Sequence, residues 1–353
     1  MRSFLTRCIF LVWTFPAFAQ GGQAQMNAAE LVIAYDRWLV AQSTTGALGM
    51  GMRLQDGRWV TVQSADANAP GFGELASVSK SITAACALQL VEAGRLDWSD
   101  RLPMHLGTAP DVTVSELVTH TSGLGPDSTQ TTMPFWLDRA TDPSLHFSDH
   151  VLSAVNARDT QSGTRGTYLY NNENYALLGL VIEAASGRPF WETCRDVLDL
   201  NDDISPSPRT GGFQPWGGLQ AKPRGYVRFL EAQYGPDSII GDDPFALPHV
   251  ALGDGAFYGL GIVFRAFGNG YNFWHFGVSL TSDMSGRCNK RSVRFYSVSE
   301  RRRYEPSRSV TGSSTYEVRR CVFAANRRQA DARAGRRDTG CIRAHCPALG
   351  RPL

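Results

Sequence analysis

The chain has 353 residues, of which 42% are hydrophobic and 10% aromatic, and its formal net charge is +2. That is enough apolar material for one large core or two lobes, and no aromatic or motif pattern marks a nucleic-acid binder. The near-neutral total hides a split, because residues 282–353 hold 17 Lys+Arg against 6 Asp+Glu whereas residues 1–281 hold 18 against 27.

Residues 1–19 read as a secretory signal, with Arg2 and Arg7 ahead of a short apolar run and Ala17-Phe18-Ala19 as a cleavage site after Ala19. The expected location is therefore periplasmic or secreted. The apolar run is too short for a stable membrane span and no later stretch is longer, so no transmembrane anchor is expected. Residues 26–42 have helical periodicity. Ala47–Leu54 and Arg58–Gln63 read as a hairpin around Asp56-Gly57. From Ala76 to Gly94 the chain reads as one helix, and from Ile82 to Val91 only Thr83 and Gln89 are clearly polar. A helix apolar around its circumference belongs in a core, and Gly94 supplies its end.

Further along, Ser115 is expected to cap a short helix that Gly123 ends, and Ala176–Gly187 reads as a helix closed by glycine. Residues 201–218 read as loop, and Gly225–Tyr234 as a short helix. Tyr258–Arg265 and Tyr271–Gly277 read as paired strands around Gly268-Asn269-Gly270. Strands near both ends with helices between them predict an α+β fold, an antiparallel sheet built from N- and C-terminal segments with an inserted helical region. Of the cysteines, Cys86 reads as a small buried hydrophobe. No spacing identifies a disulfide pairing or a zinc-like cluster, and no motif asks for a metal or cofactor.

The chemistry concentrates at the start of the apolar helix. Ser77 and Lys80 lie three apart, on one helical face. Only three lysines occur, Lys80, Lys222 and Lys290. A lysine kept beside a serine at the mouth of an apolar helix supplies a titratable amine, which arginine cannot, and such a serine is a candidate activated nucleophile. The alternative for the pair alone is a capping serine with a surface lysine.

Four ordered stretches set that pair in a wider pattern. They are Ser77-Val-Ser-Lys80; Glu116-Leu-Val-Thr-His-Thr-Ser-Gly-Leu124; Tyr170-Asn-Asn172 with the helix that follows; and Tyr258-Gly-Leu-Gly261 with His275-Phe-Gly277. Across residues 47–278 the chain resembles the class C β-lactamase-related serine hydrolases, which include D-aminopeptidases, DD-peptidases and family VIII esterases. The resemblance implies a β-lactamase/DD-peptidase-like fold. It implies an acyl-enzyme formed on Ser77, with Lys80 and Tyr170 as a coupled proton-transfer pair, provided the lysine charge lowers the pKa of Tyr170. Asn172 would hold the lysine and a substrate amide, and is itself a possible helix cap. The oxyanion would sit between the backbone N–H groups of Ser77 and Val278, beside Gly277. His275 would line the far wall, to bind a carboxylate or assist proton transfer. His120 reads as a structural hydrogen-bonding residue, Ser122 as turn-forming, and Ser79 as a poorer nucleophile because it points elsewhere on the helix. The implied substrate is a small molecule or peptide with an ester or amide bond, with no nucleic-acid partner.

Two departures qualify the resemblance. The third motif has His275 where true β-lactamases carry lysine, and Phe276 replaces a hydroxyl residue, which argues for an esterase, amidase or peptidase rather than a β-lactamase. After about Leu280 the family would continue with a further strand and an apolar C-terminal helix. Residues 282–353 instead form an arginine-rich tail with little to bury. The tail reads as a frameshifted translation of the original C-terminus, with a basic disordered tail or an authentic extension as rival readings. In the second functional reading the missing strand and helix leave a non-catalytic or decayed form of the same fold.

Overall fold

The computed structural model describes residues 71–130, 147–158, 161–235, 237–267 and 270–282. It also describes the strands at 45–53, 59–63, 288–300 and 322–328, and scattered helical residues between 30 and 41 that fall inside the expected N-terminal helix. The expected signal and its cleavage site, and the hairpin turn at Asp56-Gly57, lie outside the described residues.

Among the described residues the main sheet has eight strands. In chain order they are β1 (Thr45–Arg53), β2 (Trp59–Gln63), β6 (Val250–Gly253), β7 (Ala256–Gly259), β8 (Ile262–Phe267), β9 (Gly270–Ser282), β10 (Cys288–Glu300) and β11 (Val322–Arg328). A small sheet takes the intervening numbers, β3 (Gly73–Glu74), β4 (Ile204–Pro206) and β5 (Leu219–Ala221). The large sheet runs in the order β2-β1-β11-β10-β9-β8-β7-β6 and is antiparallel throughout. It is thus built from both ends of the chain, and the helical region between them carries the buried core. The Pro223–Tyr234 helix packs on the sheet over β1 and β11.

Two helices form the centre. In Ser79–Glu92 every residue from Ser79 to Leu88 is buried, as is Leu90. The Asn172–Ser186 helix is buried from Asn172 to Ile182 and ends on Gly187 at φ 67°, where glycine avoids the Cβ clash of a left-handed residue. Each Leu, Ile or Val side chain enclosed this way contributes about 1.5–3 kcal/mol.

Several expectations change. Cys86 is disulfide-bonded to Cys194 across 108 residues, tying the central helix to the Phe190–Val197 helix. Residues this distant pair through the fold, which spacing cannot show. The short helix is Val114–Val118, and its cap is Thr113, whose hydroxyl accepts from the Glu116 N–H while the Glu116 carboxylate accepts from the Thr113 N–H. This reciprocal box displaces Ser115 by satisfying two end donors at once, and the helix ends well before Gly123. Asn171, not Asn172, caps the long helix. The expected Tyr258–Arg265 strand is two strands, β7 and β8, folded at Leu260-Gly261 with φ values of 49° and 73°, a pair of positive φ angles that suits a tight hairpin. Part of the expected 201–218 loop is β4 of the small sheet.

The strand expected to be missing beside β9 is present. Residues 288–300 pair with β9 along its whole length, and residues 322–328 bridge β10 to β1. Ladder pairing satisfies backbone groups whatever the side-chain period, so a strand can run through a stretch with no clear amphipathic signal. The rest of the tail, including any C-terminal helix, lies outside the described residues. Among the described residues no helix is long and apolar enough to cross a membrane.

Candidate active site

Ser77 stands in a single 3₁₀ turn, Ala76–Val78, that runs directly into the central helix. Ala76, just before it, has φ 47°, a left-handed conformation that costs a non-glycine residue about 1–3 kcal/mol and persists only where surrounding structure imposes it. Part of that surrounding structure is β9. A Cβ on Gly277 would come within 2.3 Å of the Leu75 carbonyl oxygen and 3.3 Å of the Ala76 Cβ. Gly277 therefore lets the β9 backbone lie against the serine turn. Past Trp274, β9 pairs with β10 on one side, while its pairing with β8 has ended, so residues 275–278 present a strand edge beside Ser77. On the other flank, a Cβ on Gly261 would come within 2.3 Å of the Lys80 carbonyl oxygen, so the β7–β8 turn also seats on this helix only as glycine.

Lys80 is fully buried one turn beyond Ser77. Its Nζ donates to Asn172 Oδ1 at 2.8 Å and to the Trp216 carbonyl at 2.8 Å. Burial lowers its pKa to about 7, because an ammonium without bulk water is disfavoured, and the negative charge of Asp127 acts in the opposite direction. Asn172 is held in turn, its Nδ2 donating to Thr129 Oγ1 at 2.9 Å and its backbone N–H to Asp127 Oδ2 at 3.1 Å.

Tyr170 sits at the rim, with its ring centroid 5.0 Å from Lys80 Nζ. The condition that the lysine lowers its pKa is not met. The surrounding protein pushes the phenol upward, and a hydrogen bond with Ser77 only partly offsets this. The side chain is 38% exposed, so water moderates the rise but does not reverse its direction. The resting phenol is neutral.

His275 is buried, and its Nδ1 lies 2.8 Å from the Phe276 carbonyl. A carbonyl only accepts, so the proton is on Nδ1. Burial and the nearby Lys80 hold the imidazole pKa down to about 3. The ring is uncharged at neutral pH and offers no ion pair to a carboxylate, which removes the electrostatic half of the carboxylate expectation. Phe276 is 55% exposed on the next strand position.

The nearby polar residues have other partners. His120, at φ 57°, accepts from the Asn171 N–H at 3.4 Å and the Asn174 Nδ2 at 3.0 Å through Nδ1, and burial keeps it neutral. Ser122 donates to Asn174 Oδ1 and accepts from the Leu124 N–H. The Ser79 hydroxyl is buried and accepts from the Leu219 N–H at 3.2 Å, which turns it away from the strand edge. Asp127, Thr129 and the Trp216 carbonyl are the site groups that sequence reading missed. Asp127-Ser128-Thr129 reads as a plain turn after Pro126, and a carbonyl has no side-chain signature. Among the described residues no group of three or more His, Cys, Asp or Glu is placed to hold a metal ion.

Comparison with known proteins agrees with this architecture. Residues 46–199 match the Beta-lactamase family model. Protein flp of Staphylococcus aureus (strain MW2) is 27% identical over 131 residues, covering 35% of this chain and 25% of that protein, so the match spans about a quarter of the curated relative's length. The solved β-lactamase/D-alanine carboxypeptidase of Pseudomonas syringae superposes with a TM-score of 0.57 at 15% identity, over 85% of this chain and 94% of that one. A D-amino acid amidase of Ochrobactrum anthropi SV3 gives 0.55 at 17% identity, over 86% and 91%. A D-stereospecific amidohydrolase of Streptomyces sp. gives 0.52 at 18%, over 88% and 94%. The structural likenesses establish a β-lactamase/DD-peptidase-like fold, and residues 46–199 are similar in sequence to the Beta-lactamase family.

Proposed function

We propose that this chain is an exported serine hydrolase of the esterase, amidase or peptidase type that works through an acyl-enzyme on Ser77. The observation that carries the reading is the buried Lys80 amine, held by two acceptors one turn from Ser77 and poised to titrate near neutrality. Neutral Lys80 has two hydrogens and one electron pair. Asn172 and Trp216 take the hydrogens, and the pair is free to receive the Ser77 proton. As that proton moves to Nζ, the Ser77 Oγ–carbon bond forms and the carbonyl π electrons pass to oxygen. The N–H groups of Ser77 and Val278 receive that oxyanion. When the tetrahedral centre collapses, the leaving group takes a proton from Tyr170, and Lys80 returns one to the phenol. A neutral Tyr170 suits this donor role, and the two groups act as one coupled pair. Water then repeats the sequence to release the acid. Asn172 holds the lysine, and His275 lines the far wall as a neutral ring.

Export is supported by the Cys86–Cys194 bridge, since disulfides persist in oxidising compartments. The substrate is a small molecule or peptide with an ester or amide bond. An uncharged His275 beside an exposed Phe276 suits an acyl group without a carboxylate. The purified protein should hydrolyse p-nitrophenyl butyrate or a D-amino acid p-nitroanilide with at least a hundredfold higher kcat/KM than a chromogenic cephalosporin. Equal or faster cephalosporin turnover would reject the assigned substrate class.

A further inference from the structure

We propose that Asp127 and Thr129 are positioning residues, and that the directed hydrogen-bond chain from Lys80 through Asn172 and Thr129 to Asp127 keeps the lysine electron pair open toward Ser77. The inference rests on the reading of Lys80 as a proton carrier. Its basis is the direction of each bond. A carboxylate only accepts, so the Thr129 hydroxyl proton is committed to Asp127 Oδ1, at 2.7 Å. Only electron pairs are then left on Thr129 Oγ1 for Asn172, which must present its NH₂ group, at 2.9 Å. That fixes the amide with Oδ1 on Lys80 Nζ, at 2.8 Å, and the Trp216 carbonyl takes the other hydrogen. With the amide reversed, its NH₂ would face the lysine and donate into the electron pair that the reaction needs.

The turn that supplies the two residues is fastened to the start of the Asn172–Ser186 helix by three consecutive side chains. Asp127 Oδ2 accepts from the Asn172 N–H at 3.1 Å. The Ser128 N–H and hydroxyl both donate to Glu173, a fully buried carboxylate ion-paired with Arg158. Thr129, itself fully buried, completes the clasp. The titratable groups facing Lys80 are Asp127, Tyr170, Tyr175, His120 and His275. The two histidines are held neutral and burial pushes both tyrosines up, which leaves Asp127 as the carboxylate that biases the lysine.

The low lysine count makes a direct test practical. Full-length protein labelled with ¹³C at lysine Cε shows only three side chains, and Lys80 is assigned by its absence in Lys80→Met. In Asp127→Asn the Lys80 midpoint should fall by about one pH unit, as expected for losing an opposite charge nearby. In Thr129→Val, acylation by a fluorophosphonate should slow about tenfold, the scale of one directed hydrogen bond. The KM for p-nitrophenyl butyrate should stay within twofold, and Thr129→Ser should restore the rate. An unmoved Lys80 midpoint in Asp127→Asn overturns the proposal, and so does wild-type acylation in Thr129→Val. A wild-type protein that is never acylated overturns the parent reading instead, and the lysine titration still decides the chain of bonds. Should Thr129→Val fail to fold, the Asp127→Asn titration alone decides it.

Discussion

Lys80→Met slows acylation of Ser77 by about a thousandfold, within the range that a positioned proton acceptor contributes, and it removes the acid limb of the pH–rate profile near pH 7. The limb follows from the lysine itself. Below about pH 7 Nζ is protonated and has no electron pair for the serine proton, so wild-type acylation rises with pH through that value. Methionine fills much of the same volume but has no titratable nitrogen. The same substitution gives a stability readout that does not depend on turnover. The folded pKa lies below the unfolded one of 10.5. Between about pH 7 and 10.5 the unfolded chain therefore binds a proton that the folded chain does not. Wild-type stability accordingly gains about 1.4 kcal/mol per pH unit over that window from this group, and loses it as pH falls back toward 7. Lys80→Met lacks this slope, and urea melts of both proteins between pH 6 and 9.5 read the difference. Parallel stability curves would show that the amine is not held neutral by the fold.

Removing the Cys86–Cys194 bridge lowers stability by about 2–5 kcal/mol, as a loop of roughly a hundred residues is freed in the unfolded chain. In a protein of this size that corresponds to a fall in Tm on the order of 3–7 °C. The test is the double variant Cys86→Ala, Cys194→Ala. Alanine is preferred because serine would bury a hydroxyl between two helices at positions with no measurable exposure. Reductant alone should leave the native bridge intact, since both sulfurs are enclosed, and should act only once the protein is opened with denaturant. An unchanged Tm in the double variant, or two reactive thiols at these positions in the oxidised, denatured protein, would remove the bridge and with it the structural support for export.

How much of this was written in the sequence depended on how local each signal is. The central helix was legible because a run from Ile82 to Val91 with two polar residues belongs in a core, and the structure buries it from Ile82 to Leu88 and at Leu90. Gly187 was legible as a helix end because its left-handed φ is a local requirement. The proximity of Lys80 to Ser77 was legible from helical spacing, and that of Asn172 and Tyr170 to Lys80 from motif order. What was not legible is what depends on distant partners. Cys194 lies 108 residues from Cys86, and Trp216 meets Lys80 through a backbone oxygen. Thr113 displaced Ser115 as a cap because the Glu116 carboxylate reaches back to it, a reciprocity that a single-residue preference does not register. Strands β10 and β11 escaped notice because their pairing is set by backbone ladders to β9 and β1, while the surrounding arginines dominate the composition.

The assignment of Ser77 as the nucleophile is tested by mass spectrometry of the intact folded protein after treatment with a fluorophosphonate, followed by peptide mapping. The expected result is one adduct per chain, on the peptide that carries Ser77, absent in Ser77→Ala. No adduct on the folded protein, or an adduct that persists in Ser77→Ala, would contradict the assignment of Ser77 as the nucleophile.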